Sequence, residues 1–214
     1  MSRTVKFEAS APANIALIKY MGKLDSAENR PTNNSLSYTL ENLRTFVRLT
    51  YLGEGQTDQY LPSSLPSSLS LGGQARFLNH FDRLKKKFNV SGAYLVESAN
   101  NFPADCGLAS SASSFAALTR CALQAFYEQG FMDSMVSVQH QAELSRLGSG
   151  SYCRSFLGPW VVWNEMGVAA LEFPQGLLHH QAIVVESEKK QVSSSEAHQR
   201  VVLSELFKGR SERA

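Results

Sequence analysis

The sequence predicts an α+β fold, and three features predict it. Strand-like alternation is concentrated at the front of the chain, helical periodicity fills the middle, and strand-like runs return towards the end. Strands and helices do not alternate strictly, which disfavours a doubly wound parallel sheet. No linker divides the chain cleanly, and its 214 residues suit one large domain or two small ones.

Thr4 to Ala9 sets Val5, Phe7 and Ala9 against Lys6 and Glu8, a period of two that predicts a strand, interrupted by Pro12. Asn14 to Lys23 reads as a short buried strand that delivers polar groups at its end. Arg30 to Ser35 is turn chemistry. Ser35 to Thr39 and Arg44 to Leu52 are expected as two further strands. Gly53 to Leu71, rich in Ser, Pro and Gly, is expected as a loop, and its Leu-Pro-Ser-Ser near-repeat is too short for a repeat fold. Gln74 to Phe88 places Phe77, Leu78, Phe81, Leu84 and Phe88 on one helical face, with Lys85, Lys86 and Lys87 on a solvated one.

Ala93 to Ser98 predicts the next strand. The helical run Ala112 to Gln129 carries almost no charge before Arg120, so burial on most sides is expected. Asp133 or Ser134 is the expected cap of a helix reaching about Leu147. Trp160 to Asn164, Ala169 to Phe173 and Ala182 to Val185 are expected strands. Ser193-Ser194-Ser195-Glu196 has capping-box spacing and opens a last helix to about Phe207. Gly209 then acts as a stop, and Arg210 to Ala214 is expected to fray.

A net charge of +2 gives no strong electrostatic case for nucleic acid or an anionic membrane. Cys106, Cys121 and Cys153 show no CxxC spacing and read as reduced thiols, not as a disulfide framework or a metal site. No apolar run has the length that spans a bilayer, and the amino terminus does not read as a signal peptide. A cytoplasmic protein is the expectation.

The stretch most suggestive of chemistry is Asn100 to Ala112. Gly107 permits a turn that a side chain would block, Ser110 and Ser111 are good N-cap residues, and a helix follows. Bare N–H groups at such a helix start form an anion site, usually for phosphate. The alternative is an ordinary capped helix. The loop is neither a Walker A motif nor a dinucleotide fingerprint, for it lacks the Gly-Lys-Ser/Thr ending of the first and the spaced glycines of the second. Gly148 to Ser155 is a second small-residue segment, and it carries Arg154.

Pro103-x-x-x-Gly107-Leu108-x-Ser110-Ser111 resembles the phosphate loop of the GHMP kinase superfamily. Four further segments narrow the resemblance to diphosphomevalonate decarboxylases. These are Ala11-Pro12-Ala13-Asn14-Ile15-Ala16-Leu17-Ile18-Lys19-Tyr20-Met21-Gly22-Lys23, then Asn33 to Leu40, then Gly148-Ser149-Gly150-Ser151-Tyr152-Cys153-Arg154-Ser155, then Glu188 to Ser194. Their order is that of the family, and together they run from about residue 5 to about residue 200.

The resemblance implies a GHMP kinase-like fold of the ribosomal protein S5 domain 2 type. An amino-terminal domain would occupy 1–186, and 187–214 would begin a largely missing carboxy-terminal domain. It implies ATP-dependent decarboxylation of mevalonate 5-diphosphate to isopentenyl diphosphate, with ATP and Mg²⁺, and a homodimer. Lys19, Arg154 and Ser111 would be catalytic. Asn14, Tyr20, Met21, Gly22, Lys23, Ser149, Gly150, Ser151, Tyr152, Cys153, Ser193 and Ser194 would face the substrate. Pro103, Ala104, Asp105, Cys106, Gly107, Leu108, Ala109 and Ser110 would hold ATP. A small-molecule kinase of the superfamily and a non-catalytic nucleotide-binding remnant are the alternatives.

Bottom-up, such chemistry needs N–H groups for phosphates, a hydroxyl for metal or γ-phosphate, and cations for a carboxylate and a diphosphate. Arg154 suits a planar carboxylate and the lysines suit oxyanions as point charges. The sequence also departs from the family's pattern. Met21 stands where Trp is common, and Ser195 and His198 stand where Arg or Gly and Met are commoner. His80, His140, His179, His180 and His198 are given no role. An Asp expected in a later Asp-x-Gly-Pro-Asn context is not found, as in a fragment or a natural truncation, and slow turnover is expected without it.

Overall fold

One strand organises the sheet. In the computed structural model, which describes residues 5–24, 29–62, 69, 71–103, 110–148, 150–174, 178–181, 183 and 194–214, β2 runs unbroken from Ser35–Gly53. β1 (Lys6–Ile18) pairs antiparallel along most of its length. The two strands expected at Ser35 and Arg44 are thus one. What separates them is a register shift: Ala13 faces Leu40 while Pro12 faces Arg44. Pro12 sits at that shift, where a ladder donor is not needed, so it does not interrupt β1.

β3 (Gln59–Pro62) lies inside the segment expected as loop and pairs parallel with β4 (Ala93–Asn100). Parallel strands need a crossover, and α1 (Leu71–Lys87) provides it. β4 also pairs with the second half of β2, and β5 (Trp160–Asn164) pairs with the first half. β6 (Gly167–Leu171) closes an antiparallel hairpin with β5, two residues earlier than the sequence suggested.

The alternation of β2 explains the layering. Thr45, Val47 and Leu49 are buried, while Phe46 and Arg48 are exposed on the opposite face. Arg48 bridges Glu8 at 2.6 Å and Glu97 at 3.7 Å, its cross-strand neighbours on either side. α2 (Ser110–Glu128) lies on the buried face, and nearly every residue from Ala112 to Phe126 is inaccessible, as its lack of charge predicted. Phe126 meets Phe81 of α1 and Tyr94 of β4, and Phe115 meets Phe77 edge-on at 5.2 Å between ring centres. Ser110 and Ser111 form the first turn of α2; they do not precede it.

Other expectations are corrected by local chemistry. The helix α3 spans Val138–Arg146, and its cap is Ser137, whose hydroxyl accepts from the His140 N–H at 3.2 Å; Asp133 and Ser134 lie outside it. Lys85 is not on a solvated face, since it pairs with Asp58 at 3.0 Å and donates to the Gly92 carbonyl. The last helix is shorter than expected: α4 (Ser194–Arg200) gives way to two 3-10 turns, Val201–Leu203 and Glu205–Phe207. Gly209 adopts a left-handed φ of 67°, as a stop requires, but the tail folds into the short helix α5 (Arg210–Arg213). Most of the strand expected over Ala182 to Val185 lies outside the described residues. No helix among them is long and apolar enough to cross a membrane.

Candidate active site

Arg154 is the centre of the site. It lies on a 3-10 helix, Gly150–Ser155, and is only 3% exposed. Its Nη1 donates to the Ser35 hydroxyl at 2.5 Å, and that hydroxyl donates to the Ile18 carbonyl at 2.9 Å. Its Nε is buried without a partner, and among the described residues no carboxylate pairs with it. Burial lowers its pKa from the ordinary guanidinium value, yet an arginine stays charged. A buried cation held by one neutral hydroxyl is costly unless an anion completes it.

Asn14 on β1 stands beside it. Its Nδ2 donates to the Ser155 hydroxyl at 2.8 Å, and its Oδ1 is a second buried orphan. Two unsatisfied polar groups on adjoining elements are a departure from the usual rule that buried polar groups are paired.

The segment after β1 forms the lip of the site. Lys19 is exposed, Tyr20 is buried, and Gly22 adopts a φ of 87° that favours glycine. Tyr20 meets Trp163 edge-on at 4.6 Å between ring centres, and burial raises its phenol pKa. Gly150 fits beneath the pair: a Cβ there would lie 2.7 Å from the Trp163 ring and 2.8 Å from the Tyr20 hydroxyl. Lys23 donates to Asn29 at 2.6 Å, and Asn29 in turn donates to the carbonyl of Arg146.

The same 3-10 helix packs on α2. Tyr152 stacks on Phe115 at 4.4 Å between ring centres, and Phe115 lies about one and a half turns into α2. The start of α2 and the Arg154 segment are therefore neighbours. Ser110 is half-buried, and its carbonyl accepts from the hydroxyls of Ser113 and Ser114; Ser111 is exposed in the first turn. The side chains of Tyr152 and Cys153 are packed in the interior. The Cys153 thiol lies 3.1 Å from the Gly150 carbonyl, and burial pushes its pKa up to about 12, so it is no nucleophile.

Arg154, Asn14, Tyr20, Met21, Gly22, Lys23, Gly150 and Ser151 are brought to one region, with Lys19 at its edge. Pro103 is described and exposed. Ala104 to Ala109, Ser149, Ser193 and the side chain of Ser194 lie outside the described residues.

Sequence reasoning missed the partners that hold this region. Met21 N–H donates to the Asn33 Oδ1 at 3.2 Å, and its carbonyl accepts from the Thr32 hydroxyl at 2.6 Å. His198 of α4 stacks on Tyr20 at 4.6 Å, and its Nδ1 accepts the Gly22 N–H at 3.0 Å. Arg210 Nη2 donates to the Lys19 carbonyl at 2.6 Å. Asn33 and Ser35 fall in a quoted motif; His198 and Arg210, more than 170 residues away, carry no local signal.

A sheet-backed helix whose start adjoins a buried arginine and a lysine-bearing loop is an arrangement chemically suited to small oxyanionic molecules. Comparison narrows the class: residues 11–170 match the diphosphomevalonate decarboxylase-like N-terminal domain, and the chain belongs to that family. A crystal structure of a mevalonate diphosphate decarboxylase from Legionella pneumophila is 48% identical, with a TM-score of 0.87 over 98% of this chain and 67% of that one. The diphosphomevalonate decarboxylase of Saccharomyces cerevisiae is 36% identical over 95% of this chain and 55% of its own. A structure described by the mevalonate diphosphate-mediated ATP binding mechanism of the Enterococcus faecalis decarboxylase is 31% identical, with a TM-score of 0.64 over 76% of this chain and 48% of that one. The chain spans about half the length of the curated relatives it matches. The GHMP-type α+β fold expected from the sequence is thus confirmed.

Proposed function

We propose that this chain carries the substrate- and nucleotide-binding part of an ATP-dependent mevalonate 5-diphosphate decarboxylase. The observation that carries the reading is Arg154, a buried guanidinium with an unpartnered Nε and, among the described residues, no carboxylate beside it. A substrate carboxylate supplies the missing charge and a planar acceptor. Lys19 and Lys23 supply point charges for the diphosphate, and Asn14, Tyr20, Gly22, Gly150 and Ser151 shape the floor.

Phosphorylation of the 3-hydroxyl turns it into a leaving group. Loss of phosphate and of carbon dioxide then gives isopentenyl diphosphate. The N–H groups at the start of α2, with Ser110 and Ser111, are assigned to the ATP phosphates and the accompanying Mg²⁺. Arg154 orients the carboxylate so that, as phosphate leaves with the C–O electron pair, the pair of the C–C bond to the departing carbon dioxide forms the C=C bond of the product. The finer assignments are a boundary near residue 186, a homodimer and a cytoplasmic location, the last supported by the buried free thiols Cys121 and Cys153.

Calorimetry with mevalonate 5-diphosphate tests the reading. Wild-type chain should bind, and Arg154→Lys should lose about 1.5–3 kcal/mol of binding free energy, the value of a charge-assisted hydrogen bond. Equal affinity in the two proteins would remove Arg154 from the site. Release of ADP without carbon dioxide would replace the decarboxylase with a kinase.

A further inference from the structure

We propose that His198 is a positioning residue for the Lys19–Lys23 loop: its ring floors Tyr20, its Nδ1 fixes the Gly22 amide, and together they set where the two lysine ammonium groups meet an oxyanion. The proposal rests on the substrate reading above and extends it to a residue of the carboxy-terminal segment.

Apart from the isolated antiparallel bridge of Lys23 with Pro31, the loop belongs to no strand or helix, so its remaining backbone groups depend on side chains. Thr32 and Asn33 hold Met21, Arg210 holds the Lys19 carbonyl, and His198 holds the Gly22 N–H. At a φ of 87° Gly22 cannot join a ladder, and a Cβ there would meet the Phe207 ring at 2.9 Å. Tyr20 is gripped by two rings, Trp163 in a T-shaped contact and His198 in a stacked one, with both centroid distances at 4.6 Å. Loss of the histidine removes the stacked face from Tyr20 and the acceptor from the Gly22 N–H, leaving Trp163 alone against Tyr20.

Chemistry dictates the state of the ring. An Nδ1 that accepts from an amide must be bare, so the proton resides on Nε2 and the imidazole is neutral. The charged groups around it enforce this. Burial, then Lys23, then Lys19 depress its pKa to about 4, and Arg210 adds a further cation to the same loop. Both lysines thus stand within electrostatic reach of the ring that positions them.

The test uses ¹⁵N-labelled full 214-residue chain in three forms besides wild type. His198→Phe keeps a ring and loses the acceptor. His198→Asn keeps an acceptor at the Nδ1 position. His198→Ala loses both. Hydrogen exchange at the Gly22 amide should speed about five- to tenfold in the Phe and Ala forms and return nearly to wild type in the Asn form. Mevalonate 5-diphosphate affinity should fall about five- to tenfold in the Phe form and recover in the Asn form. Wild-type ¹⁵N shifts should report the Nε2–H tautomer. Gly22 exchange unchanged in the Phe and Ala forms overturns the proposal, as does altered exchange with unaltered affinity. If exchange responds as expected but wild type binds no mevalonate 5-diphosphate, the loop role stands and the substrate reading alone falls.

Discussion

The α2 core and the Arg154 site share a boundary at Phe115 and Tyr152, yet different forces build them. Around α2 the contacts are apolar, dense and redundant: Phe77, Phe81, Tyr94, Phe115 and Phe126 each touch another member of the set. At Arg154, Gly22 and the Lys19 carbonyl a single side-chain hydrogen bond reaches in from a residue far along the chain. The core spends its residues on stability. The site leaves two buried polar atoms incomplete, the Nε of the Arg154 cation and the Asn14 Oδ1, and so is poised to be completed by a ligand.

Core and site differ in this way only if stability and binding can be separated by substitution. The largest expected effect lies in the core. Phe126→Ala should cost about 3–5 kcal/mol, because the ring loses its transfer energy and leaves a cavity among Phe81, Phe88 and Tyr94. Denaturant titration measures it. Ligand affinity, measured where the variant is still folded, should not change. At the site the pattern reverses, so that Arg154→Met should leave stability unchanged or raised, by about 1–4 kcal/mol at most, as binding is lost. A strongly destabilised Arg154→Met protein would show that the guanidinium belongs to the core after all.

The same contrast explains what could be read in advance. The core was legible because local patterns carry it: the period of two in β1 and β2, the helical face of α1, and the uncharged run of α2. The short parallel strand β3 was not, because four residues ending in Pro62 have no pattern and gain their ladder only from β4. The site was legible where motifs are contiguous, as at Asn14 to Lys23 and Gly150 to Arg154. It was illegible at Trp163, His198, Phe207 and Arg210, since tertiary folding alone brings them to the loop. Lys85 misled for a related reason. Its helical position suggested solvent, but Asp58 reaches it from a separate segment.

A pH titration probes both regions, because each holds one histidine forced to be neutral. In the core, Thr119 donates its hydroxyl proton to the Phe115 carbonyl, so His80 must donate from Nε2 to that oxygen, 2.9 Å away. Its Nδ1 is buried without a partner, and burial, then Arg83, depresses its pKa to about 3. In the unfolded chain the ring titrates near 6.5. Between these values the unfolded state binds the extra proton, so stability is full above pH 6.5 and falls as pH drops towards 3. The slope is at most about 1.4 kcal/mol per pH unit for one such group. His198 acts in the same direction between about 4 and 6.5, weakened by its partial exposure. His80→Gln should flatten the slope below pH 4, where His198 no longer contributes. An unchanged profile there would mean that His80 is not held neutral.

The smallest effect should come from the surface, which belongs to neither region. Lys86 pairs with Asp82 at 2.7 Å across one helical turn, but the side chains are 76% and 51% exposed. Coulomb attraction at that exposure is weak, water screens it, and ordering two long side chains costs entropy. A double-mutant cycle with Lys86→Ala and Asp82→Ala should give a coupling of about 0.3–0.5 kcal/mol, vanishing in high salt. Lys85 and Asp58 are only 15% and 18% exposed, and they also bond the Gly92 carbonyl and the Tyr94 N–H. Their removal leaves buried polar groups unmatched, so the second cycle should exceed the first and resist salt. Equal couplings would mean that burial does not govern the strength of polar contacts in this protein, and the burial of Arg154 would then give it no special need of an anion.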